Sequence, residues 1–442
     1  MTDPIAVQGV IIAAPSSGSG KTVVTLGLLA HLRAQGVRVA SMKSGPDYID
    51  PAFHAQATGR ACFNADPWAM RAETLKAAVA SAGTDADLVI CEGVMGLFDG
   101  ANATEGSTAE MAVQTGWPVV LVVDSGAQGA SAAALVKGFD TFRDEVNIAG
   151  VIFNRVGSAR HQRVIREAMA FAVPHIPVLG MIPMEQGLAL PSRHLGLIQA
   201  AEHHGLAGLM ERAANIMARH VDIKALQALA LSWTADGMVK PLRPLGQHIA
   251  VARDEAFAFA YPMVLQGWRN QGAEISFFSP LDDEPPAGSA DAVYLPGGYP
   301  ELHAYRLSTA ERFLTGLRDA AGRRATVYGE CGGYMVLGRG MRDADGTTHA
   351  MAGLLALGTS FETRKLSLGY RRVVHIAETP LGAVHSRFRG HEFHYATITS
   401  EGPGAHLFEA QDADGCKLGS QGLVNDNVFG SFVHLIDRAP KS

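Results

Sequence analysis

Near its start the chain has an apolar run that leads into a glycine-rich loop and then into a helical pattern, and few folds accommodate this order. Residues 10–13 read VIIA, and leucines recur at helical spacing over residues 24–32. The loop between them, residues 15–22, reads PSSGSGKT. A strand, such a loop and a helix in this order are typical of a phosphate-binding loop in a parallel α/β sheet.

The loop matches the pattern G-x-x-x-x-G-K-[ST], except that Pro15 stands in place of the first glycine. Glycines in such a loop let backbone N–H groups face phosphate oxygens, the lysine reaches the β- and γ-phosphates, and the hydroxyl binds Mg²⁺. An ordinary glycine-rich turn is the alternative. The predicted nucleotide-binding residues of the loop are Gly18, Ser19, Gly20, Lys21 and Thr22.

Acidic residues follow two further apolar runs, at positions where parallel strands would bring them to the same edge of the sheet. Glu92 comes directly after residues 88–91, and Asp47 lies a few residues after a strand predicted over 38–42. Mg²⁺ prefers oxygen ligands. A helix-cap or turn role is the alternative for each acid. The predicted metal ligands are Thr22, Asp47 and Glu92, with Asp50 and Asp99 as secondary candidates.

Asn154 ends another predicted strand, residues 148–153. Its amide group is suited to reading the base of a nucleotide, so we assign it to the nucleotide site; a turn asparagine is the alternative.

The length and the pattern along the chain predict two α/β domains. A chain of 442 residues has room for two or three domains. Strand and helix signals alternate over residues 1–235, and prolines and glycines interrupt the pattern over residues 236–246. The alternation resumes over residues 247–442, with more strand near the end, where residues 393–397 and 428–435 look like strands. We therefore predict two domains joined by a linker at 236–246.

Cys331 has the sequence context of a nucleophile elbow. It follows a strand predicted over residues 325–328, has small neighbours in GECGG, and precedes a helix-like segment at 334–337. The helix N-terminus is expected to lower the pKa of the thiol. A buried structural cysteine is the alternative for Cys331, and the favoured interpretation for Cys62, Cys91 and Cys416.

A thiolate nucleophile needs a base. We choose His434, because residues 428–434 look like a late strand that ends in a polar residue; His391 and His394 are rivals. The glycines of residues 295–301 follow another strand, and their N–H groups are suited to an oxyanion hole.

Composition excludes several classes of protein. A formal charge of −6 argues against nucleic-acid binding, which needs clustered positive charge. No apolar segment is long enough to span a membrane, and no signal-peptide pattern is present. The four cysteines show no C-x-x-C pair or disulfide framework, so we expect a cytoplasmic protein.

Several stretches together resemble the cobyrinic acid a,c-diamide synthase family. Beside the phosphate loop they are residues 45–51, 92–100, 295–301, 328–335 and 389–395, and the resemblance covers essentially the whole chain. It implies an N-terminal P-loop NTPase domain like dethiobiotin synthetase and a C-terminal class I glutamine amidotransferase domain. It also implies a corrinoid substrate whose a and c carboxylates become amides, with glutamine, ATP and Mg²⁺, in vitamin B12 synthesis.

The resemblance leaves alternatives open. The substrate is metal-free hydrogenobyrinic acid, which the overall look of the sequence favours, or cobalt-containing cobyrinic acid. Another tetrapyrrole acid such as nickel-sirohydrochlorin, and a non-catalytic P-loop switch protein, are the other candidates. Ser16 and Ser17 stand where partitioning-type switches usually carry a second lysine, which counts against a switch. A homodimer is one option for the assembly.

One position departs from the wider amidotransferase pattern. The usual third triad member is a Glu two residues after the His, and Ile436 stands there; Asp437 is next to it. A polycarboxylate substrate also calls for positive charge. The unranked candidates are Lys43, Arg60, Arg155, Arg160 and Arg193.

Overall fold

The structure is a computed structural model that describes residues 4–185, 188, 192–193, 196–197, 199–202 and 205–440. Its contacts divide the chain into two compact units. The first contains the residues up to Trp68 and Ala72–Met238, and the second contains Ala69–Arg71 and the residues from Val239 onward. The sequence gives no sign that Ala69–Arg71 packs with the second unit.

The first unit is built on a mainly parallel sheet with the strand order β3-β2-β4-β1-β5-β6-β7, and β10 pairs antiparallel with β1. β1 is buried along most of its length because it lies between β4 and β5. The strands are β1 (Ile5–Ala13), β2 (Val39–Ser44), β3 (Phe63–Ala65), β4 (Leu88–Glu92), β5 (Val119–Asp124), β6 (Ile148–Val156), β7 (Val178–Pro183), a pair formed by β8 (Ser192–Arg193) and β9 (Gly196–Leu197), and β10 (Leu231–Ala235).

Helices connect the parallel strands, as this topology requires. Helix α1 carries the leucines at helical spacing, and Leu26, Leu29 and Leu32 are buried. The helices are α1 (Lys21–Ala34), α2 (Asp50–Thr58), α3 (Ala72–Gly83), α4 (Thr108–Thr115), α5 (Ser131–Phe142), α6 (Ala159–Ala172), α7 (Leu206–His220) and α8 (Ile223–Leu229), with a 3-10 turn at Ala200–Glu202.

The second unit contains a long mixed sheet with the order β12-β11-β13-β14-β23-β22-β21-β18-β19-β24, and a smaller sheet with the order β16-β15-β17-β20. Strands β11 to β14 and β23 are parallel, and the other strands of the long sheet pair antiparallel. The strands are β11 (His248–Ala252), β12 (Glu274–Phe278), β13 (Ala292–Leu295), β14 (Thr326–Glu330), β15 (Gly340–Arg342), β16 (Thr348–Ala350), β17 (Leu357–Ser360), β18 (Ser367–His375), β19 (Arg387–His394), β20 (Thr397–Glu401), β21 (Ala405–Gln411), β22 (Lys417–Asn425), β23 (Val428–Ser431) and β24 (His434–Arg438).

The helices of the second unit pack on its parallel strands. Apolar residues of these helices, including Phe313, Leu317 and Leu337, join one buried core with Val293 and Val327 of the sheet. The helices are α9 (Pro262–Asn270), α10 (Ala304–Ser308), α11 (Glu311–Gly322) and α12 (Gly332–Leu337), with 3-10 turns at Pro280–Asp282 and Pro300–His303.

Two predictions about the late strands are wrong. Residues 428–434 do not form one strand that ends at His434. β23 pairs parallel with β14, whereas β24 begins at His434 and pairs antiparallel with β19, so the chain must bend at residues 432–433. Residues 393–397 are likewise divided between β19 and β20, which belong to different sheets.

Among the helices that the structure describes, none combines the length and the apolar character needed to cross a lipid bilayer. The four cysteines are free. Cys62 and Cys91 are buried as expected, but Cys416 is exposed. Cys416 lies in the connection between β21 and β22, where its backbone N–H donates to Asp412 Oδ1 at 2.8 Å.

Candidate active sites

The phosphate loop of the first unit has the backbone conformation that its sequence requires. It connects the end of β1 to the start of α1, and Gly18 and Gly20 have φ angles of +81° and +95°. These left-handed angles are accessible to glycine at little cost. Lys21 Nζ donates to the carbonyls of Met95 at 2.5 Å and Ser16 at 3.5 Å, so the lysine head lies inside the loop. Burial lowers the pKa of Lys21 to about 8.

Asn154 supports the loop. Its Nδ2 donates to the Ser19 carbonyl at 3.0 Å, and its Oδ1 accepts from the backbone N–H of Arg155 at 2.9 Å. A Cβ on Gly20 would collide with Asn154 Nδ2. The amide group is therefore engaged by the backbone of the loop, and a role in reading a base stays a prediction.

The acidic residues beside the loop surround a buried lysine. Lys43 Nζ lies 2.5 Å from Asp50 Oδ2, 2.9 Å from Glu92 Oε1 and 3.8 Å from Asp47 Oδ2. From the sequence, Lys43 is one of five basic residues that are candidates for binding a polycarboxylate substrate. The structure places it on β2 among the carboxylates, because β2 lies next to β4 and α2 begins at Asp50. These negative charges outweigh the effect of burial and hold the pKa of Lys43 well above its usual value.

The predicted metal ligands are unequally placed. Thr22 Oγ1 donates to Glu92 Oε1 at 2.8 Å and lies 3.4 Å from Asp50 Oδ2. Asp47 Oδ1 accepts from the backbone N–H groups of Ile49 and Asp50 at 2.8 and 3.2 Å, which makes a turn. Asp50, which the sequence gives only as a secondary candidate, therefore lies within reach of the Thr22 hydroxyl.

The donor set is suited to Mg²⁺. A hydroxyl and carboxylates are hard oxygen ligands, and Mg²⁺ in nucleotide sites usually takes one or two protein ligands with phosphates and waters. Within the described residues, no group of three His, Cys, Asp or Glu side chains is arranged to hold a metal ion by itself. The residues present fit a cation that is shared with a nucleotide.

His54 is a member of this network that the sequence analysis missed. Its Nε2 lies 2.7 Å from Glu92 Oε2 and its Nδ1 lies 3.6 Å from Cys62 Sγ, and all three side chains are buried. Burial alone would lower the pKa of His54, but Glu92 raises it to about 10. Burial likewise opposes ionisation of Glu92, yet Lys43 and His54 hold its pKa well below the usual range. The one signal in the sequence is the i,i+4 spacing from Asp50, which puts both on one face of α2.

We expect the variant His54→Gln to be less stable by about 3 kcal/mol near pH 6, because it removes one partner of a buried ion pair. The raised pKa of His54 implies stabilisation that is complete below its unfolded value of 6.5 and lost as the pH rises through about 10. The lowered pKa of Glu92 implies stabilisation that is complete above its unfolded value of 4.5 and lost at lower pH. Urea unfolding followed by tryptophan fluorescence at several pH values measures both limits.

The control for this variant is His31→Gln, at a partly exposed histidine of α1. Its unfolding should follow the parent protein at every pH. A destabilisation by His54→Gln that is equal at pH 5.5 and pH 9.5 would mean that the ion pair is not its cause.

In the second unit, Cys331 lies at the turn between β14 and α12. Its φ of +48° is rare for a residue other than glycine, and such strain concentrates at functional sites. The backbone N–H of Cys331 donates to the Ser431 carbonyl at 2.8 Å, which ties the turn to β23. A Cβ on Gly333 would collide with the Leu295 carbonyl, so a small residue is needed for this close approach.

His434 and Cys331 meet at Gly297. A Cβ added to Gly297 would lie 3.0 Å from His434 Nε2 and 3.2 Å from the Cβ of Cys331. The absence of a side chain at Gly297 therefore allows the imidazole and the cysteine to approach the same point. A Cβ on Gly332 would similarly lie 3.1 Å from the backbone nitrogen of Gly298, which places that N–H beside the turn that carries Cys331. A role of residues 297 and 298 in an oxyanion hole stays a prediction.

The expectation of a lowered thiol pKa is wrong for the protein without substrate. Burial raises the pKa of Cys331, and the carboxylate of Glu301 adds to this; the N–H of Gly332 at the start of the short helix α12 opposes it less strongly. Burial lowers the pKa of His434 to about 3, with smaller contributions from His391 and His394. At neutral pH the thiol and the imidazole are therefore both uncharged, and the thiolate must form by proton transfer to a base.

The rival histidines make other contacts. His394 Nε2 lies 2.8 Å from Glu392 Oε1, its Nδ1 lies 3.1 Å from the Ala396 carbonyl, and its ring stacks on Phe432. His391 faces His434 across the pairing of β19 and β24, with its ring against Tyr370. Of the three histidines, His434 is the one that meets Cys331 at Gly297.

The candidate substrate cations are dispersed. Lys43 belongs to the buried network. Arg60 donates to the carbonyls of Thr84 and Asp85, Arg155 pairs with Asp124, and Arg160 is exposed on α6. The side chain of Arg193 lies outside the described part of the chain. For the three described arginines, the structure gives separate contacts or exposure and no shared partner.

Two family models account for both units. A model described as "CobQ/CobB/MinD/ParA nucleotide binding domain" matches residues 10–198, and one described as "CobB/CobQ-like glutamine amidotransferase domain" matches residues 248–441. The folds and the two sites thus define an enzyme in which a nucleotide-binding P-loop domain is joined to a glutamine amidotransferase domain. The predicted fold class is confirmed.

Curated relatives match the chain over nearly its full length. A protein named hydrogenobyrinate a,c-diamide synthase from Brucella anthropi is 54% identical over 97% of this chain and 98% of its own. A protein of the same name from Rhizobium meliloti is 54% identical over 97% of this chain and 99% of its own. The protein of that name from Rhodobacter capsulatus is 51% identical over 97% of this chain and 98% of its own. The chain belongs to the hydrogenobyrinate a,c-diamide synthase family, which confirms the resemblance recognised in the sequence.

Proposed function

We propose that this enzyme converts the a and c carboxylates of hydrogenobyrinic acid into amides, with glutamine as the nitrogen source and ATP as the activating reagent, in cobalamin biosynthesis. Residues 1–235 carry the amide synthetase and residues 247–442 the glutaminase. One observation supports this best: a phosphate loop beside a Thr22–Glu92 contact and a Cys331–His434 pair occur in the same chain. The printed names of the relatives supply the choice of substrate.

The first unit has the parts for activating a carboxylate. A carboxylate does not react with ammonia at neutral pH because its leaving group is poor, and transfer of the γ-phosphoryl group of ATP converts it to an acyl phosphate. Lys21 leaves the carbonyls of Ser16 and Met95 and binds the phosphates, which neutralises developing charge. Thr22, Asp47, Asp50 and Glu92 are the oxygen donors that would hold Mg²⁺, and the ion would offset phosphate charge there.

Lys43 has two roles in this proposal. At 2.9 Å it helps to keep the carboxylate of Glu92 ionised and so available as a ligand, and it lies 2.5 Å from Asp50 Oδ2. Its ammonium group also offers positive charge beside the loop for a substrate carboxylate or a phosphate.

The second unit has the parts for releasing ammonia from glutamine. Cys331 Sγ attacks the carboxamide carbon while His434 accepts the thiol proton and then delivers it to the leaving ammonia. The resulting thioester is hydrolysed by water to glutamate, which restores the thiol. Because free ammonia is mostly protonated at neutral pH, producing it within the enzyme gives the acyl phosphate an unprotonated nucleophile.

Mass spectrometry tests the reaction and the substrate together. Hydrogenobyrinic acid, cobyrinic acid and nickel-sirohydrochlorin are each incubated with the protein, ATP, Mg²⁺ and glutamine labelled with ¹⁵N in its amide. We expect two labelled amides on hydrogenobyrinic acid and slower or no conversion of the others. Conversion of nickel-sirohydrochlorin alone would assign another tetrapyrrole, and ATP hydrolysis without conversion of any acid would favour the switch protein.

The proposed setting is the cytoplasm, where cysteines such as Cys62 and Cys331 remain as free thiols. A homodimer is proposed for the assembly, and sedimentation velocity at several concentrations tests it.

A further inference from the structure

The two ring nitrogens of His434 face different groups. Nε2 and the adjacent Cε1 lie beside the position that a Cβ on Gly297 would take, and the Cβ of Cys331 lies beside the same position. Nδ1 lies 3.9 Å from Oε2 of Glu330, the residue directly before the cysteine. In a nucleophile–histidine–carboxylate arrangement, the carboxylate holds the proton on the nitrogen that faces it, so that the other nitrogen can accept the proton of the nucleophile.

We propose that Glu330 is the positioning residue of the glutaminase site and takes the place of the carboxylate that Ile436 cannot provide. The inference rests on the proposed function of Cys331 and His434. Glu330 and His434 are both buried, so the separation of 3.9 Å is not bridged by bulk water. At this distance the contact is not a hydrogen bond, and it becomes an ion pair when His434 accepts the thiol proton while Glu330 is ionised.

The carboxylate of Glu330 is held firmly in place. The hydroxyls of Tyr294 and Tyr328 donate to Oε2 and Oε1, each at 2.7 Å, and the backbone N–H of Leu435 donates to Oε1 at 3.1 Å. Leu435 directly follows His434, so this bond also fixes the start of β24. Burial, with the nearby carboxylate, keeps the pKa values of both tyrosines well above normal, so they remain donors.

The other nearby carboxylate has a different partner. Asp437 accepts from the backbone N–H of Arg71 at 2.9 Å and from its Nη2 and Nε at 2.9 and 3.1 Å. The backbone N–H of Arg438 also donates to Asp437 Oδ1, at 2.8 Å. Asp437 therefore holds Arg71 rather than the catalytic histidine.

The same contact makes a pH dependence that can be measured. Burial raises the pKa of Glu330 to about 7, whereas the two tyrosine hydroxyls and the Leu435 N–H oppose this. His434 is also faced by His391, His394 and Glu392 from β19 and by the ring of Tyr261. Protonation of Glu330 below about pH 7 should therefore slow the step in which His434 accepts the thiol proton.

The test compares the full-length protein with Glu330→Gln, which keeps the shape and removes the charge. We expect glutaminase kcat to fall about 100-fold with KM for glutamine nearly unchanged, because the variant loses orientation and charge stabilisation but no substrate contact. In the parent protein kcat should fall as the pH drops through about 7, and this fall should be absent in Glu330→Gln. The rate at which 6-diazo-5-oxonorleucine alkylates Cys331 should lose the same pH dependence, and Glu330→Asp should recover part of kcat.

Controls separate this inference from the proposed function. Asp437→Asn, on the same strand, should keep the parent kcat and pH profile, and amidation with ammonium salts should persist in Glu330→Gln. If Glu330→Gln does not fold, Tyr328→Phe removes one anchor of the carboxylate and should shift the pH at which kcat falls. Parent-like kcat and pH profile in the Glu330 variant, or their loss in Asp437→Asn instead, would overturn the role of Glu330. Failure of the parent protein to hydrolyse glutamine would overturn the proposed function itself.

Discussion

Replacement of Cys331 by alanine should reduce glutamine-dependent amidation to below about 0.1% of the parent rate while amidation with ammonium salts continues. In the proposed function the thiol of Cys331, which is buried in the turn after β14, is the group that attacks glutamine. Ammonium supplies ammonia from solution and makes the glutaminase step unnecessary. Amide formation from each nitrogen source, measured by mass spectrometry at saturating ATP, gives both rates.

The matched control is Cys416→Ala, which removes an exposed thiol from the same unit. Both nitrogen sources should remain effective in that variant. If Cys331→Ala loses the ammonium-dependent reaction although its circular dichroism is that of the parent, the proposed division of labour is wrong.

Replacement of Lys21 by alanine should reduce amidation at least about 10³-fold with either nitrogen source, because the loss of a preorganised positive charge on the phosphates affects the common activation step. In the structure Lys21 lies inside the loop with its Nζ 2.5 Å from the Met95 carbonyl, so it is ready to exchange that carbonyl for a phosphate oxygen. ATP hydrolysis in the presence of substrate should fall in parallel with amide formation.

Lys76→Ala is the control for this variant, since Lys76 forms a half-exposed ion pair with Asp236 in the same unit. Exposed pairs contribute little, and we expect a normal rate. If Lys21→Ala keeps the amidation rate of the parent protein, the assignment of residues 15–22 as a phosphate loop is wrong. Together, the Lys21 and Cys331 variants should lose different sets of activities.

Local patterns were sufficient for the main elements. The phosphate loop depends on glycines and a lysine at fixed spacing, and the strand–turn–helix around Cys331 depends on small residues at fixed spacing, so both can be read from short stretches of sequence. The apolar runs that became β1, β4 and β13 were recognised because buried parallel strands are continuously apolar.

Long-range packing decided the rest of the two sites. Lys43 and His54 lie beside Glu92 because β2, β4 and α2 pack next to one another. Glu92 raises the pKa of both side chains, although it is 49 positions from Lys43 and 38 from His54 along the chain. The break of the predicted late strand before His434 follows from two different pairing partners, β14 and β19. A single stretch of apolar residues cannot reveal such a change of partner.

The fold class, the family, the phosphate loop and the cysteine could all be predicted, because each depends on residues that are close together along the chain. The folded chain was needed to show which acids surround Lys43, that Asn154 supports the loop, and that Glu330 lies beside His434 whereas Asp437 binds Arg71. Those features depend on burial and on charges from separate strands and helices, and both arise only when the chain is folded.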